Sequence, residues 1–323
     1  MFKVMTWNVE NLFRPGEESG PPDQATYEAK LQGLAATIDA QAPDALALQE
    51  IGDPDALDDL VQHLQGNWNK QVSNHPDDPH HPIRVAWLAR NAIEDPADIV
   101  DFPPHLQPVQ VGDDPNDTIS AMGRGAVAIT VQTDAGHAVR LVTTHLKSKL
   151  LTFPHHRFQP HDEDERARFA TYALDRRAAE AATVRVAVTA ALANDGQHKP
   201  LVLTGDMNDT VQAATTQMLL GPPGSEIHTG GFDHPDHGDA QRLWNLAPLM
   251  PDGKNYSRVF RGQKELIDHI LVSAALVKPL DSITVEAIVD QPQPLPSITE
   301  DPGARRAAPS SDHAPVVATF ADL

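Results

Sequence analysis

The stretch Leu203–Thr210 reads "LTGDMNDT". Leu201, Val202 and Leu203 lead into it as a buried strand, and Gly205 marks where that strand ends. Asp206, Asn208 and Asp209 then crowd its mouth. A carboxylate beside an apolar strand is unfavourable unless something pairs with it. A turn cap accounts for one such residue, because Asp and Asn bond the backbone ahead of them, but it accounts less well for three. The stretch therefore reads as a strand end that carries chemistry.

Working outward, strand-like runs recur along the whole chain. They are "FKVMTW" (2–7), "DALALQE" (44–50), "RVAWLA" (84–89), "GAVAITVQT" (125–133), "AVRLVTTHL" (138–146), "PLVLTG" (200–205), "LIDHILVS" (266–273) and "APVVATF" (314–320). The turn "DAGH" makes 125–146 a hairpin. Helical segments alternate with these runs. In 24–40, Tyr27, Leu31, Leu34 and Ile38 share one helix face, with Asp23 as N-cap. The stretch 163–193 is Ala- and Arg-rich, and Gly196 is expected to end it. Strands mixed with helices and hairpins predict an α/β protein with mixed sheets. The 28 prolines gather in loops such as 76–82, 103–108, 221–224 and 292–302, none of which reads as a linker. One domain over 1–323 is expected.

The absence of cysteine excludes disulfides, thiolate metal sites and cysteine nucleophiles. The N-terminus lacks the basic start and apolar run of a secretory signal, and no window approaches a membrane span, which predicts a cytoplasmic protein. The net charge is −20 with histidines neutral. Such a surface repels free nucleic acid over most of its area. Acidity serves solubility, or it clusters to hold hard cations through oxygen ligands.

The strand ends repeat the pattern of the opening stretch. Asn8, Glu10 and Asn11 follow the first strand, Gln49 and Glu50 end the second, and His145 ends "VTTH". Asp268 lies inside "IDHILVS", and Asp312 and His313 precede the last strand. Any one of these alone is a solvated strand end or a turn cap. In layered α/β folds, however, strand ends converge on one face, and sites are built there. Carboxylates and amides suit Mg²⁺ or Mn²⁺, and an Asp–His pair can orient and charge an imidazole.

With "TWNVENL", "QE", "THLKSK", "GDMND", "IDHILVS" and "SDHAPV" in this order, the chain resembles the endonuclease/exonuclease/phosphatase superfamily, the DNase I-like fold. The resemblance implies a four-layer sandwich of two packed mixed β-sheets flanked by helices. It implies a metal-dependent phosphoesterase, Mg²⁺ or Mn²⁺ as cofactor, and a phosphoester as partner, with nucleic acid among the candidates. Glu50 resembles the direct metal ligand and Asn8 its companion, with Asp312 also at the metal end. Asp206 resembles the acid that orients or deprotonates the attacking water, and Asn208 its partner in holding a phosphate oxygen. Asp268 resembles the acid that supports the site from a neighbouring strand. His313 resembles the histidine that contacts the scissile phosphate, with Asp312 orienting it, and His145 resembles a second histidine.

The chemistry agrees. Phosphodiester hydrolysis needs an activated water and relief of charge on phosphoryl oxygens, which a divalent ion, Asn208 and imidazolium donors supply. Arg84 and Arg124 are candidates to fork onto a phosphate, or else to pair with the surplus acid, and "YSRVFRG" (256–262), which precedes "IDH", is a candidate to line the substrate groove through Arg258 and Arg261. Arg176, Arg177 and Glu180 read as structural, and Lys147 as solvated. The loop histidines 155, 156, 161, 234 and 237 are expected not to form a second metal site. Only three tyrosines are present and no basic stripe is visible, which argues against a duplex-repair surface. A nuclease-like phosphodiesterase acting as a monomer is expected, the alternative being a phosphatase or phosphodiesterase of small molecules or lipid head groups.

Overall fold

The computed structural model describes residues 1–17, 19–74, 82–290, 293–299, 301 and 303–323. Of the proline-rich loops, residues 76–81, 292, 300 and 302 therefore lie outside the described residues.

Two parallel strand pairs organise the molecule. Phe2–Leu12 and Ala45–Ile51 run parallel, joined by the helix Gln24–Gln41. Ala138–His145 and Leu201–Asp206 run parallel, joined by the helix Glu163–Leu192. Parallel neighbours need such a crossover because no tight turn can reverse the chain twice. Antiparallel strands extend each pair. One six-stranded sheet has the order Ile283–Ala287, Val316–Phe320, Phe2–Leu12, Ala45–Ile51, Arg84–Ala89, Asn69–Val72. The other has the order Leu243–Asn245, Asp268–Ser273, Leu201–Asp206, Ala138–His145, Ala121–Gln132, Ile93–Asp101. The expected hairpin is present, with Ala126 paired to Thr144 and Gln132 to Ala138.

Alternation along the strands builds three cores. Val4, Ala47, Val85, Trp87, Val127, Leu141, Val202 and Ile270 face inward and join the sheets. Met5, Trp7, Leu46 and Leu48 point the other way, against Tyr27, Leu31, Leu34 and Ile38 of the first helix. Val142, Leu201 and Leu203 do the same against Val184, Val188 and Leu192. The layers run helix, sheet, sheet, helix, the sandwich the sequence implies. Polar links also tie the sheets together; among them, Trp87 Nε1 donates to Val127 O at 3.2 Å, and Gln49 Nε2 donates to Thr143 Oγ1 at 3.1 Å. Gln49 is fully buried and structural.

Local chemistry sets the helix ends. The Asp23 carboxylate accepts from Thr26 N at 2.8 Å, the expected N-cap. The long helix stops at Ala193, which is left-handed, rather than at Gly196.

Two boundaries differ from expectation. The first strand continues past Trp7 to Leu12, its pairing slipping between Asn8 and Leu12 where Glu10 and Asn11 take φ of 53° and 54°. Gly205 does not end its strand; it lies within it at φ 137°, paired between Thr144 and His269. A Cβ there would meet Thr144 O at 1.9 Å. Gly205→Ala is therefore expected to lower stability by about 3 kcal/mol or more, combining backbone strain with overpacking. A urea midpoint equal to that of the parent would contradict this.

Candidate active site

The carboxyl ends of both parallel pairs reach the same edge of the sandwich. In the second sheet His145, Asp206 and Asp268 stand in one row, because Asp206 is in register with His145 on one side and Asp268 on the other. Side chains level across neighbouring strands share a face. The first sheet contributes Asn8 and Glu50 opposite them, and the segment before the last strand contributes His313.

Hydrogen bonds join these groups. Asn8 Nδ2 donates to Asp206 Oδ2 and to Glu50 Oε1, both at 3.0 Å. Glu50 Oε2 accepts from Asn11 N at 2.9 Å, and Asn8 Oδ1 from Glu10 N at 3.0 Å. Asp206 Oδ1 accepts from Asn208 N at 2.8 Å, so this acid does cap its own turn. Its other oxygen lies 3.4 Å from His145 Nε2. Asn208 Nδ2 donates to Leu146 O at 2.9 Å, leaving a second N–H on the same nitrogen. His313 Nδ1 lies 2.7 Å from Asp268 Oδ2, while the buried Asp268 Oδ1 has no hydrogen-bond partner among the described residues. Trp7 Nε1 donates to His313 O at 2.8 Å, which gives the "TW" of the first strand a role in placing the histidine.

The geometry corrects one expectation. The carboxylate bonded to the His313 ring is Asp268, not Asp312. Asp312 lies in a bend, and its backbone N donates to Glu10 Oε2 at 3.0 Å, while its charge still acts on His313. Asn8 sets its amide between Glu50 and Asp206. Two carboxylates can only accept, so its NH₂ faces them and its Oδ1 turns to the backbone.

Burial and charge shift two groups strongly. Burial, then the nearby Asp268, push Asp206 up to about 6, with His313 and Asn8 pulling the other way. Burial works against a charge on His313, but Asp268 and Asp312 outweigh it and raise the ring to about 10. Asp206, Asp268 and His313 bring ligand atoms within 4.8 Å of one another, close enough for a cation to share. A second group of acids lies beside them. Glu10 is clamped by Arg305, at 2.9 Å from Nε, and its backbone oxygen accepts from Lys30. Burial and Asp312 push Glu10 up to about 7. Lys30 feels Glu10, Glu50 and Asp312 together. Carboxylates outnumber cations there, an excess that a hard divalent ion would offset.

Glu10, Asn11, Glu50 and Asn208 all hold left-handed backbone, among eleven non-glycine residues described with positive φ. Such strain gathers where surrounding structure over-determines it, at functional sites above all.

The arginines divide. Arg124 Nη1 donates to Leu146 O at 2.8 Å, the carbonyl that Asn208 also uses, which puts it beside the site. Arg84 is tied to Gly52 O and Pro82 O and touches none of the candidate catalytic side chains. Arg258 forms a backbone bridge with His313 and lies 3.3 Å from Glu265. Lys147 is not solvated. Its ammonium donates to Ser148 O and Leu150 O, and burial with Arg124 and Arg176 lowers it to about 7. Arg177 and Lys149 hold Asp209 at 2.9 and 3.1 Å, and Glu180 binds Arg176 and the backbone of Gly123. Asp209 is thus an anchor for the long helix. The cations of 124, 147, 149, 176 and 177, scattered in sequence, gather beside Asn208. The sequence reading missed this cluster, together with Lys30 and Arg305. Lys30 left a sequence signal, one charged position on an apolar helix face.

Among the described residues the loop histidines form no metal-binding group. No helix among the described residues is long and apolar enough to cross a membrane.

Comparison with known proteins agrees with this fold. Truncated TDP2 from Caenorhabditis elegans superposes with a TM-score of 0.57 at 17% identity, over 99% of this chain and 96% of that one. The human Nocturnin catalytic domain with bound sulfate gives 0.54 at 16%, over 99% and 94%. The 3′ phosphatase NExo from Neisseria, bound to a product DNA hairpin, gives 0.52 at 21%, over 99% of both chains. No curated protein sequence matches the chain. The pattern of the Endonuclease/Exonuclease/phosphatase family matches residues 5–313. Through that match, the chain belongs to the Endonuclease/Exonuclease/phosphatase family, whose members hydrolyse phosphoester bonds.

Proposed function

We propose that the chain hydrolyses a phosphodiester by in-line attack of water, as a nuclease-like phosphodiesterase. The observation that carries this reading is the row His145–Asp206–Asp268 meeting His313, a buried acid beside a charged imidazole. Asp206, raised toward neutrality, is suited to take a proton from water. His313, held charged by Asp268, presents its other ring nitrogen as a donor where charge builds on a phosphoryl oxygen. The second N–H of Asn208 and the guanidinium of Arg124 hold the remaining oxygens, and Arg258 stands where the substrate enters. Mg²⁺ or Mn²⁺, held by Glu50 and Asp312, supplies Lewis-acid charge to the phosphate when bound. Asn8 keeps Glu50 and Asp206 apart and oriented.

A second reading is hydrolysis of a phosphomonoester on a small molecule. The cations gathered beside Asn208 favour it, since they suit a dianion. Purified protein with Mg²⁺ or Mn²⁺ separates the two on plasmid DNA, single strands, RNA, bis-p-nitrophenyl phosphate and p-nitrophenyl phosphate. Faster diester than monoester turnover is expected. The reverse selects the second reading, and no turnover on any of them sinks both.

The pH profile follows from the two shifted groups. Below about 6 Asp206 keeps its proton and cannot accept another; His313 keeps its proton up to about 10. Activity should rise through the first value, hold a plateau, and fall through the second. Asp268→Asn removes the charge that raises His313, and should move the alkaline limb down by about one pH unit or more. An unmoved limb would show that another group sets it.

A further inference from the structure

Residues 253–264 carry Lys254, Arg258, Arg261 and Lys264 and no Asp or Glu, in a chain whose net charge is −20. They build a hairpin in which Arg258–Phe260 pairs antiparallel with Gln263–Glu265. Arg261 and Gly262 between them have φ of 48° and 80°. A two-residue loop with both residues at positive φ has the twist a hairpin needs. Ser297–Ile298 adds a third strand beside Val259 and Phe260.

The hairpin grows out of the catalytic centre. Arg258 bridges His313, Ser257 O accepts from Ala314 N at 2.7 Å, and Ser257 Oγ accepts from Asp268 N at 3.1 Å. Both members of the Asp268–His313 pair are thus bonded to its base. Rings and cations alternate along it. The guanidinium carbons of Arg258 and Arg261 lie 5.1 and 5.6 Å from the Phe260 ring centroid, and Lys264 Nζ lies 4.2 Å from that of Tyr256. Phe260 is half-buried and belongs to none of the three cores, whereas Arg261 and Lys264 are exposed. Arg258 Nε is buried without a hydrogen-bond partner.

A ring that packs no core yet keeps cations beside it is suited to a π-faced, anionic ligand. Unstacked bases offer such a face, and their phosphates match the cations. A duplex hides those faces and would bring its phosphates against the acidic remainder of the surface.

We propose that this hairpin is a binding ridge for single-stranded nucleic acid, Phe260 stacking an unpaired base while Arg261 and Lys264 hold flanking phosphates. The inference rests on the phosphodiesterase reading and gives it a substrate class. The test is fluorescence anisotropy of a labelled oligothymidylate in EDTA at low salt, beside a duplex of equal length. Single-strand binding is expected in the micromolar range, about tenfold tighter than duplex binding. Phe260→Ala should weaken it about tenfold and Phe260→Trp should restore it. Arg261→Ala with Lys264→Ala should flatten the slope of log affinity against log salt by about 0.7 for each phosphate no longer held. Unchanged binding in Phe260→Ala, or a duplex bound as tightly as the single strand, overturns the ridge. Hydrolysis of bis-p-nitrophenyl phosphate is measured on the same preparations. Hydrolysis without strand binding overturns the ridge alone. Strand binding with no turnover on this diester or on any of the nucleic acids above overturns the phosphodiesterase and leaves the ridge.

Discussion

Replacing His313 by alanine should lower kcat/KM on a small diester by about 10²- to 10⁴-fold, roughly 3 to 5 kcal/mol of transition-state stabilisation. The ring is 5% exposed, and its Nδ1 is committed to Asp268, so its remaining nitrogen is the one that can face a substrate. The substitution also leaves Asp268, fully buried, without the bond to Oδ2. Breaking a buried charged pair from one side is costly, so the melting temperature should fall as well. A double-mutant cycle separates the two effects. Asp268→Asn combined with His313→Ala should lose little more activity than His313→Ala alone, because the pair acts as a unit. It should also recover part of the stability, because no unpaired carboxylate stays buried. His145→Ala is expected to lose activity in the same range. His155→Ala, His234→Ala and His237→Ala, all exposed, should stay within a few-fold of the parent, since imidazoles in water offer the transition state little. Equal losses in the loop variants would mean that the site lies elsewhere.

What the sequence made legible was set by how local the physics is. Leu201–Leu203 announce a strand because an apolar run is a local property, and Asp23 announces a helix start for the same reason. Asp206, Asn208 and His313 stood out because polar groups at strand ends are conspicuous against apolar neighbours. The partner of His313 was not legible. Asp312 is its neighbour in sequence, but the fold brings the Asp268 carboxylate, 45 residues away, to the ring nitrogen. The strain at Glu10, Asn11, Glu50 and Asn208 left no trace either, since no local rule forces a non-glycine residue into left-handed backbone. Gly205 was read as a strand end because glycine usually is one, whereas its role is to let Thr144 O approach. The edge strand Ile93–Asp101 went unread because it contains Pro96, is mostly exposed and is bulged, so it lacks alternation. Arg305 clamps Glu10 from 295 residues away, a pairing that only the fold creates.

Chelation should abolish activity, and Mg²⁺ or Mn²⁺ should restore it, with Zn²⁺ poorer because oxygen donors suit hard cations. The expectation rests on a local excess of acid. Glu10 is driven up to about 7 by burial and by Asp312, although Lys30 and Arg305 both lower it. Glu50 and Asp312 act on the same Lys30. Carboxylates crowded beyond their cations are stabilised by a divalent ion, which binds the folded state and not the unfolded one. Mg²⁺ should therefore raise the melting temperature of the parent by mass action. That readout is independent of turnover, and it also locates the ion. Two donor sets are to be told apart: the proposed pair Glu50 and Asp312, and the buried group Asp206, Asp268 and His313, whose ligand atoms lie within 4.8 Å of one another. The second already uses its Asp268–His313 contact as a hydrogen bond, so the first should hold the ion. Glu50→Gln and Asp312→Asn should then lose most of the Mg²⁺-dependent stabilisation, while Asp268→Asn retains it. The opposite pattern would move the ion to the Asp–Asp–His group and leave Glu50 as an acceptor for Asn8 and Asn11. Full turnover after exhaustive chelation would remove the metal from the chemistry altogether, and would leave Asp206 and the charged His313 to carry it alone.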